Sequence, residues 1–492
     1  MEQQKHFQPD LKSIPKTEPE DAGHAEGKDG TRKPKGIDFT LKPEELESYL
    51  NKYVVDQPEA VEVMATKICT HFNRMRYEIE NNISHDQTLG NIKSNILMIG
   101  PTGVGKTFII KLIADRIGVP FVKGDATKFS ETGYVGGDVE DLVRELVKEA
   151  DDNIELAEYG IVYIDEIDKI ASSPGHWGPD VSRTGVQRNL LKLMEETEVD
   201  MKVPHDLASQ MEAVVQAQRT GKAERKKVNT RNILFVVSGA FEGLEEIIQK
   251  RLSKRGMGFK SDVGLTPTEK ANLFKNTTTR DLINYGFESE FIGRLPVTVI
   301  LNELNEESLF QILKNPNCAV IKAKKREFKS YGIELEFAGD ALRVLAENAA
   351  KEETGARGLL SAVEKVLIRF EKKLPSTGID KLVVNCQLIE NPLEVLQDLT
   401  FNHSLEFYTE YFESETGIRL SFTDDAKAMI TDKVADKESD TTAYLEKQLK
   451  DFIFGSKLMG IEELVVSVEI LKDPQLVLDR MIKEAYDKKA QQ

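Results

Sequence analysis

The sequence is short of cysteine. Cys69, Cys318 and Cys386 are far apart and form no C-x-x-C pair. Neither a disulfide framework nor a zinc module is indicated, and a reducing, cytoplasmic setting fits; no zinc is expected. There is no run approaching the roughly 18 consecutive apolar residues that a membrane span needs. Nor does the region after Met1 hold the apolar core of a secretory leader, so no membrane association is expected. Positive charge is in deficit as well: 66 Lys and Arg against 83 Asp and Glu leave a formal charge of −17. Nucleic-acid binding needs a basic footprint, and no specific nucleic-acid partner is expected. Residues 1–36 are poor in large apolar side chains and cannot bury enough surface to offset the entropy of ordering. They are expected to be a disordered tail.

Against these absences stands one stretch rich in meaning. An apolar run, Ile96 to Ile99, opens into Gly100, Pro101, Thr102, Gly103, Val104, Gly105, Lys106 and Thr107. This is G-x-x-x-x-G-K-[ST] between a strand and a helix. Its glycines let backbone N–H groups turn inward around a phosphate, and the following helix points its positive end at the same anion. Lys106 reaches the β/γ-phosphates and the Thr107 hydroxyl suits Mg²⁺. A nucleoside triphosphate is the expected ligand, with ATP and Mg²⁺ the expected cofactors.

A second run, Gly160-Ile-Val-Tyr-Ile-Asp-Glu-Ile-Asp168, reads as a buried strand ending in acids. Asp165 is placed to orient Mg²⁺ through its water shell, and Glu166 to polarise an attacking water. A third run, Asn232 to Ser238, ends in a hydroxyl that would face the ligand crevice of a doubly wound sheet. Between them a helix is expected from Val139 to about Leu156, and residues 198–231 read as a polar insertion carrying Lys222, Arg225, Lys226 and Lys227. The 492-residue length suits about three or four domains. The fold class is α/β: a large domain with a parallel sheet over residues 37–305, then a mainly helical α+β small domain over 306–398.

The last hundred residues echo the hundred before them. Gly332-Ile-Glu-Leu-Glu-Phe-Ala-Gly-Asp-Ala341 matches Gly417-Ile-Arg-Leu-Ser-Phe-Thr-Asp-Asp-Ala426, and Leu382-Val-Val matches Leu464-Val-Val. Residues 399–492 are therefore expected to be a degenerate second copy of the small domain. Arg357 aligns with Thr442, so the second copy has no arginine to offer a phosphate.

Taken together, Gly100 to Thr107, Gly133-Tyr-Val-Gly136, Ile161 to Lys169, Phe291-Ile-Gly-Arg-Leu-Pro296 and Thr354-Gly-Ala-Arg-Gly358 resemble the ClpX family of AAA+ unfoldases, and HslU more distantly. The likeness runs over residues 40 to 395. It implies a homo-hexameric ring that hydrolyses ATP between subunits and threads protein substrates through a pore, with no peptidase activity of its own. Arg294 matches the family's arginine finger, Arg357 its sensor-2 arginine and Ser238 its sensor-1 position. Val54 and Val55 match the adenine-pocket segment, where Asp56 replaces the usual glycine. Gly133, Tyr134, Val135 and Gly136 match the substrate pore loop. Met257, Gly258 and Phe259 align with the tripeptide that docks a ClpP-like peptidase. The paired C-x-x-C motifs and the Arg-Lys-His loop of the family are not matched. Two other readings stay open: a stand-alone remodelling chaperone without a peptidase, and a nucleotide-gated binding scaffold with little motor activity.

Overall fold

The computed structural model of the chain describes residues 40–81, 83, 93–130, 137–172, 181–201, 226–253, 272–435 and 441–490. Its strands up to residue 300 are β1 (Ile96–Ile99), β2 (Phe121–Asp125), β3 (Ile161–Asp165), β4 (Glu198–Asp200), β5 (Lys227–Asn229), β6 (Leu234–Gly239) and β7 (Val297–Ile300). Five of them form one sheet in the order β2-β3-β6-β1-β7, with every pairing parallel. Strand β1 lies between two strands that come much later in the chain. Its C-terminal end is therefore a switch point, where such sheets open a ligand crevice.

The strands read as unbroken apolar runs because both faces are covered. Ile96, Met98, Ile161, Tyr163, Leu234 and Val236 face one core, together with Val61, Met64, Ile68, Phe72 and Met75 of the helix Pro58–Glu80. Leu97, Ile99, Val162, Ile164, Phe235 and Val237 point to the opposite core, shared with the helices Asp141–Glu149 and Val181–Met194. Strands β4 and β5 stand apart as an antiparallel hairpin at the base of the polar insertion.

The single helix expected from Val139 to Leu156 is two. Asp151 and Asp152 take φ of 53° and 59°, left-handed values that an α-helix cannot absorb. Asn153 then caps a new turn, its side chain accepting from the Leu156 N–H at 3.1 Å. Aspartate and asparagine tolerate these conformations because their short polar side chains bond locally.

His71 is buried under the sheet, 1% exposed. Its Nε2–H donates to the Asn232 carbonyl at 3.1 Å, while Nδ1 has no partner. Burial pushes its pKa down to about 3, with Arg74 adding to the effect. The folded ring thus refuses a proton that the unfolded chain takes at about pH 6.5, so stability is lost as pH falls through that window. Unfolding free energy is expected to fall by about 1.4 kcal/mol per pH unit between about pH 6 and pH 5 from this residue alone. Denaturant titrations of wild-type and His71→Gln chains check it: the variant should show the shallower dependence, and equal slopes would refute the assignment.

After residue 300 the chain is mainly helical. Strands β8 (Glu334–Phe337) and β9 (Lys381–Val384) pair in parallel with Leu335 opposite Leu382. Strands β10 (Arg419–Phe422) and β11 (Glu463–Val466) pair the same way with Leu420 opposite Leu464. The helix Pro392–Thr416 runs through the expected boundary at 398/399 without a break. Val395, Leu396 and Leu399 pack on the first core, whereas Leu405, Tyr408 and Phe412 belong to a third core with Leu420, Phe452 and Leu464. One helix therefore joins two separately cored modules.

Candidate functional site

The site grows from the loop after β1. Gly103 and Gly105 have φ of 76° and 96°, conformations that side-chain-bearing residues rarely adopt. At Gly103 there is a second constraint. A Cβ there would come 2.0 Å from the Thr354 carbonyl oxygen, and the Gly103 oxygen accepts from the Ala356 N–H at 2.9 Å. The phosphate loop is thus in backbone contact with the segment that leads into Arg357. The helix Lys106–Ile117 starts directly at Gly105, aiming its unpaired N–H groups and positive dipole end into the crevice.

A cavity of about 560 Å³ lies over this loop. Thr102, Lys106, Thr107, Asp165, Glu166 and Arg357 all line it. Lys106 is nearly buried, and its Nζ donates to the Gly100 and Pro101 carbonyls at 2.6 and 2.8 Å. Burial lowers its pKa, opposed by the carboxylates of Asp165 and Asp168. An arriving phosphate would replace two neutral carbonyls with a full charge, which favours the ammonium form.

Asp165 closes β3. Burial disfavours its charge, but the Ser238 hydroxyl at 2.7 Å and the Lys123 ammonium at 3.0 Å hold its carboxyl below the usual range. Ser238 is itself fixed by the Tyr163 hydroxyl at 2.6 Å, and the Thr107 hydroxyl donates to Tyr163 at 3.2 Å. Burial pushes the Tyr163 phenol up, so it stays neutral and serves as a relay of hydrogen bonds. Glu166 follows with φ of 58°, exposed at the cavity wall. A glutamate in the left-handed region costs about 1 kcal/mol, and here that turn lifts its side chain off the strand.

The donors fit a hydrated magnesium ion. Thr107 Oγ1 and Asp165 Oδ2 are hard oxygens, both within hydrogen-bond reach of one cation, the Lys123 ammonium. Tyr163 and Lys123 are functional neighbours that motif reading missed. The tyrosine hydroxyl inside an otherwise apolar strand was the available signal. Lys123 gave none, because only the register of β2 on β3 brings it to Asp165.

Other expected site residues lie elsewhere. Val54 and Val55 line a separate cavity of about 610 Å³ with Lys52, Asn315 and Pro316. Asp56 beside them has φ of 58°, a left-handed conformation that aspartate tolerates better than most side-chain-bearing residues. Its carboxylate accepts from Ser308 Oγ at 2.7 Å. Arg294 does not line its own chain's cavity. It ends the short helix Ser289–Gly293, its guanidinium donates to Glu195 at 2.5 Å, and Asn95 Nδ2 donates to its carbonyl at 3.0 Å. Gly133 to Gly136 and Met257 to Phe259 fall outside the described residues.

A parallel five-stranded sheet with a phosphate loop at its switch point, paired acids on the next strand but one, and a helical module touching the loop define an ATPase of the AAA class. Residues 91–298 match the family model described as "AAA domain (Cdc48 subfamily)", and residues 304–370 the "C-terminal, D2-small domain, of ClpB protein". The chain is 38% identical over 354 residues to the ATP-dependent Clp protease ATP-binding subunit ClpX of Treponema denticola, covering 71% of this chain and 81% of that one. Over 366 residues it is 37% identical to ClpX 3 of Methylococcus capsulatus, covering 72% and 81%. The chain belongs to the ClpX family, and it is an ATP-dependent unfoldase of that type.

Proposed function

We propose that this chain assembles as a cytoplasmic homo-hexamer that threads protein substrates through a central pore and delivers them to a ClpP-like peptidase. The observation that carries this reading is the split of the site. Lys106, Thr107, Asp165, Glu166 and Arg357 share one cavity, while Arg294 sits outside it on Glu195. Such a site holds a triphosphate but needs a cation from a neighbouring subunit.

Each residue then has a role. The loop from Gly100 to Thr107 cradles the phosphates, with Lys106 on the β/γ oxygens. Thr107 and Asp165 hold magnesium, which when bound neutralises phosphate charge. Glu166 accepts the proton of the attacking water as it adds to the γ-phosphorus and the bond from that phosphorus to the β–γ bridging oxygen breaks, releasing ADP and phosphate. Ser238 holds Asp165 charged and oriented. Arg294 stabilises the γ-phosphate charge of the adjacent subunit, and Arg357 couples the γ-phosphate of its own chain's nucleotide to the small domain. Val54 and Val55 receive the adenine. Residues 37–305 form the large domain and 306–398 the small one. Residues 399–492 are a second copy without the arginine, since Thr442 stands where Arg357 stands in the first.

Gly133, Tyr134, Val135 and Gly136 form the loop that grips polypeptide, and Met257, Gly258 and Phe259 form the docking tripeptide. The separate third core at residues 405–478 favours a second reading, in which the chain remodels complexes without a peptidase. Tyr134→Ala tests the threading step. ATP turnover should persist, because the residue is remote from the phosphates in sequence and role, while ATP-driven loss of fluorescence from a tagged folded reporter should disappear. Unfolding at the wild-type rate would overturn the threading role; running the assay with and without peptidase separates the two readings.

A further inference from the structure

Lys123 is a charged side chain that neither the phosphate loop nor the paired acids call for. It lies on β2, opposite Tyr163 of β3. Its ammonium is 3.0 Å from Asp165 Oδ2, 3.4 Å from Thr107 Oγ1 and 5.8 Å from the centre of the Tyr163 ring. The first two atoms are the ones assigned to magnesium above, and the inference rests on that assignment. The loop's own lysine, Lys106, is engaged by the Gly100 and Pro101 carbonyls. Asp165 Oδ1 takes the Ser238 hydroxyl and the Glu166 N–H. Lys123 therefore supplies the positive charge where a divalent ion would supply it.

The side chain is 43% exposed and lines the nucleotide cavity. It is held by its charge partners rather than locked by packing, and a four-carbon stem leaves it free to swing. We propose that Lys123 is a tethered stand-in for the divalent cation. In the nucleotide-free chain its ammonium occupies the place between Thr107 and Asp165, so a free divalent ion must compete with it. Magnesium consequently enters together with the nucleotide, whose phosphates draw the ammonium away from Asp165.

A merely structural ion pair would not govern metal affinity, so metal affinity is the quantity to measure. Mn²⁺ is titrated into full-length nucleotide-free protein, following the electron paramagnetic resonance of the free ion, for wild type, Lys123→Met, Lys123→Arg and Asp165→Asn. Displacing a partly exposed ion pair sets the scale, so Lys123→Met should bind Mn²⁺ about fivefold more tightly. Lys123→Arg, which keeps the charge, should bind as wild type does. Asp165→Asn should bind more weakly. If Asp165→Asn binds like wild type, the metal-site assignment falls and the proposal with it. If Asp165→Asn weakens binding but Lys123→Met does not tighten it, or Lys123→Arg tightens it equally, the stand-in role alone is overturned.

Discussion

A Glu166→Gln chain is expected to bind ATP as the wild type does and to hydrolyse it at least about 100-fold more slowly, the scale of losing a positioned general base. The substitution exchanges one carboxylate oxygen for an amide nitrogen and keeps the shape. In the proposed site, binding is assigned to other groups: the turn at Gly103 and Gly105, the Lys106 ammonium, and Thr107 with Asp165. Glu166 makes none of the hydrogen bonds that orient Asp165 through its side chain; only its backbone N–H reaches Asp165 Oδ1, at 3.2 Å, and glutamine keeps that N–H. The left-handed turn at φ 58° is a property of the backbone and is retained too. What glutamine cannot do is take a proton from water. Equilibrium binding of a fluorescent ATP analogue and steady-state phosphate release check the two halves. Wild-type turnover in this variant would remove Glu166 from the chemistry.

An Arg294→Ala chain is expected to lose on the order of 10³-fold in turnover, the contribution of a cation presented to the γ-phosphate across an interface. Its own nucleotide affinity should change little, because Arg294 lines no part of its own cavity. The residue is well rooted for presentation. Asn95, at the start of β1, donates to its carbonyl and accepts from the Phe235 N–H of β6 at 3.2 Å. The arginine backbone is thereby tied to β1, which leads into the phosphate loop, and to its sheet neighbour β6. Its guanidinium is 53% exposed and pairs with Glu195, an exposed pair worth no more than about 1 kcal/mol, so transfer to a neighbour's phosphate costs little. Loss of nucleotide binding together with turnover would show that Arg294 acts within its own chain.

The phosphate loop, the acid pair after β3 and the α/β class were legible in the chain because each depends on local spacing. Glycines at fixed positions, a strand's worth of apolar residues and the acids that end it are all contiguous. What stayed hidden depends on register or on conformation. Lys123 and Asp165 are 42 residues apart and meet only because β2 pairs with β3. That Asp56 takes a left-handed backbone, φ 58°, carried no mark in the sequence. The break at Asp151 and Asp152 was missed for the same reason, since apolar periodicity carries no mark of a positive φ. The unbroken helix across 398/399 was hidden because its apolar residues serve two cores in succession, which blurs any composition shift at the junction.

The most direct test mixes two inactive chains. Arg294→Ala supplies an intact Glu166, Glu166→Gln supplies an intact Arg294, and subunits are allowed to exchange before ATP turnover is measured. Where an Arg294→Ala subunit presents its nucleotide to the arginine of a Glu166→Gln neighbour, every group of the site is present. Turnover well above that of either variant alone is the expected result. A mixture no more active than its parents, with mixed assemblies demonstrated, would contradict an ATP site completed by the adjacent subunit.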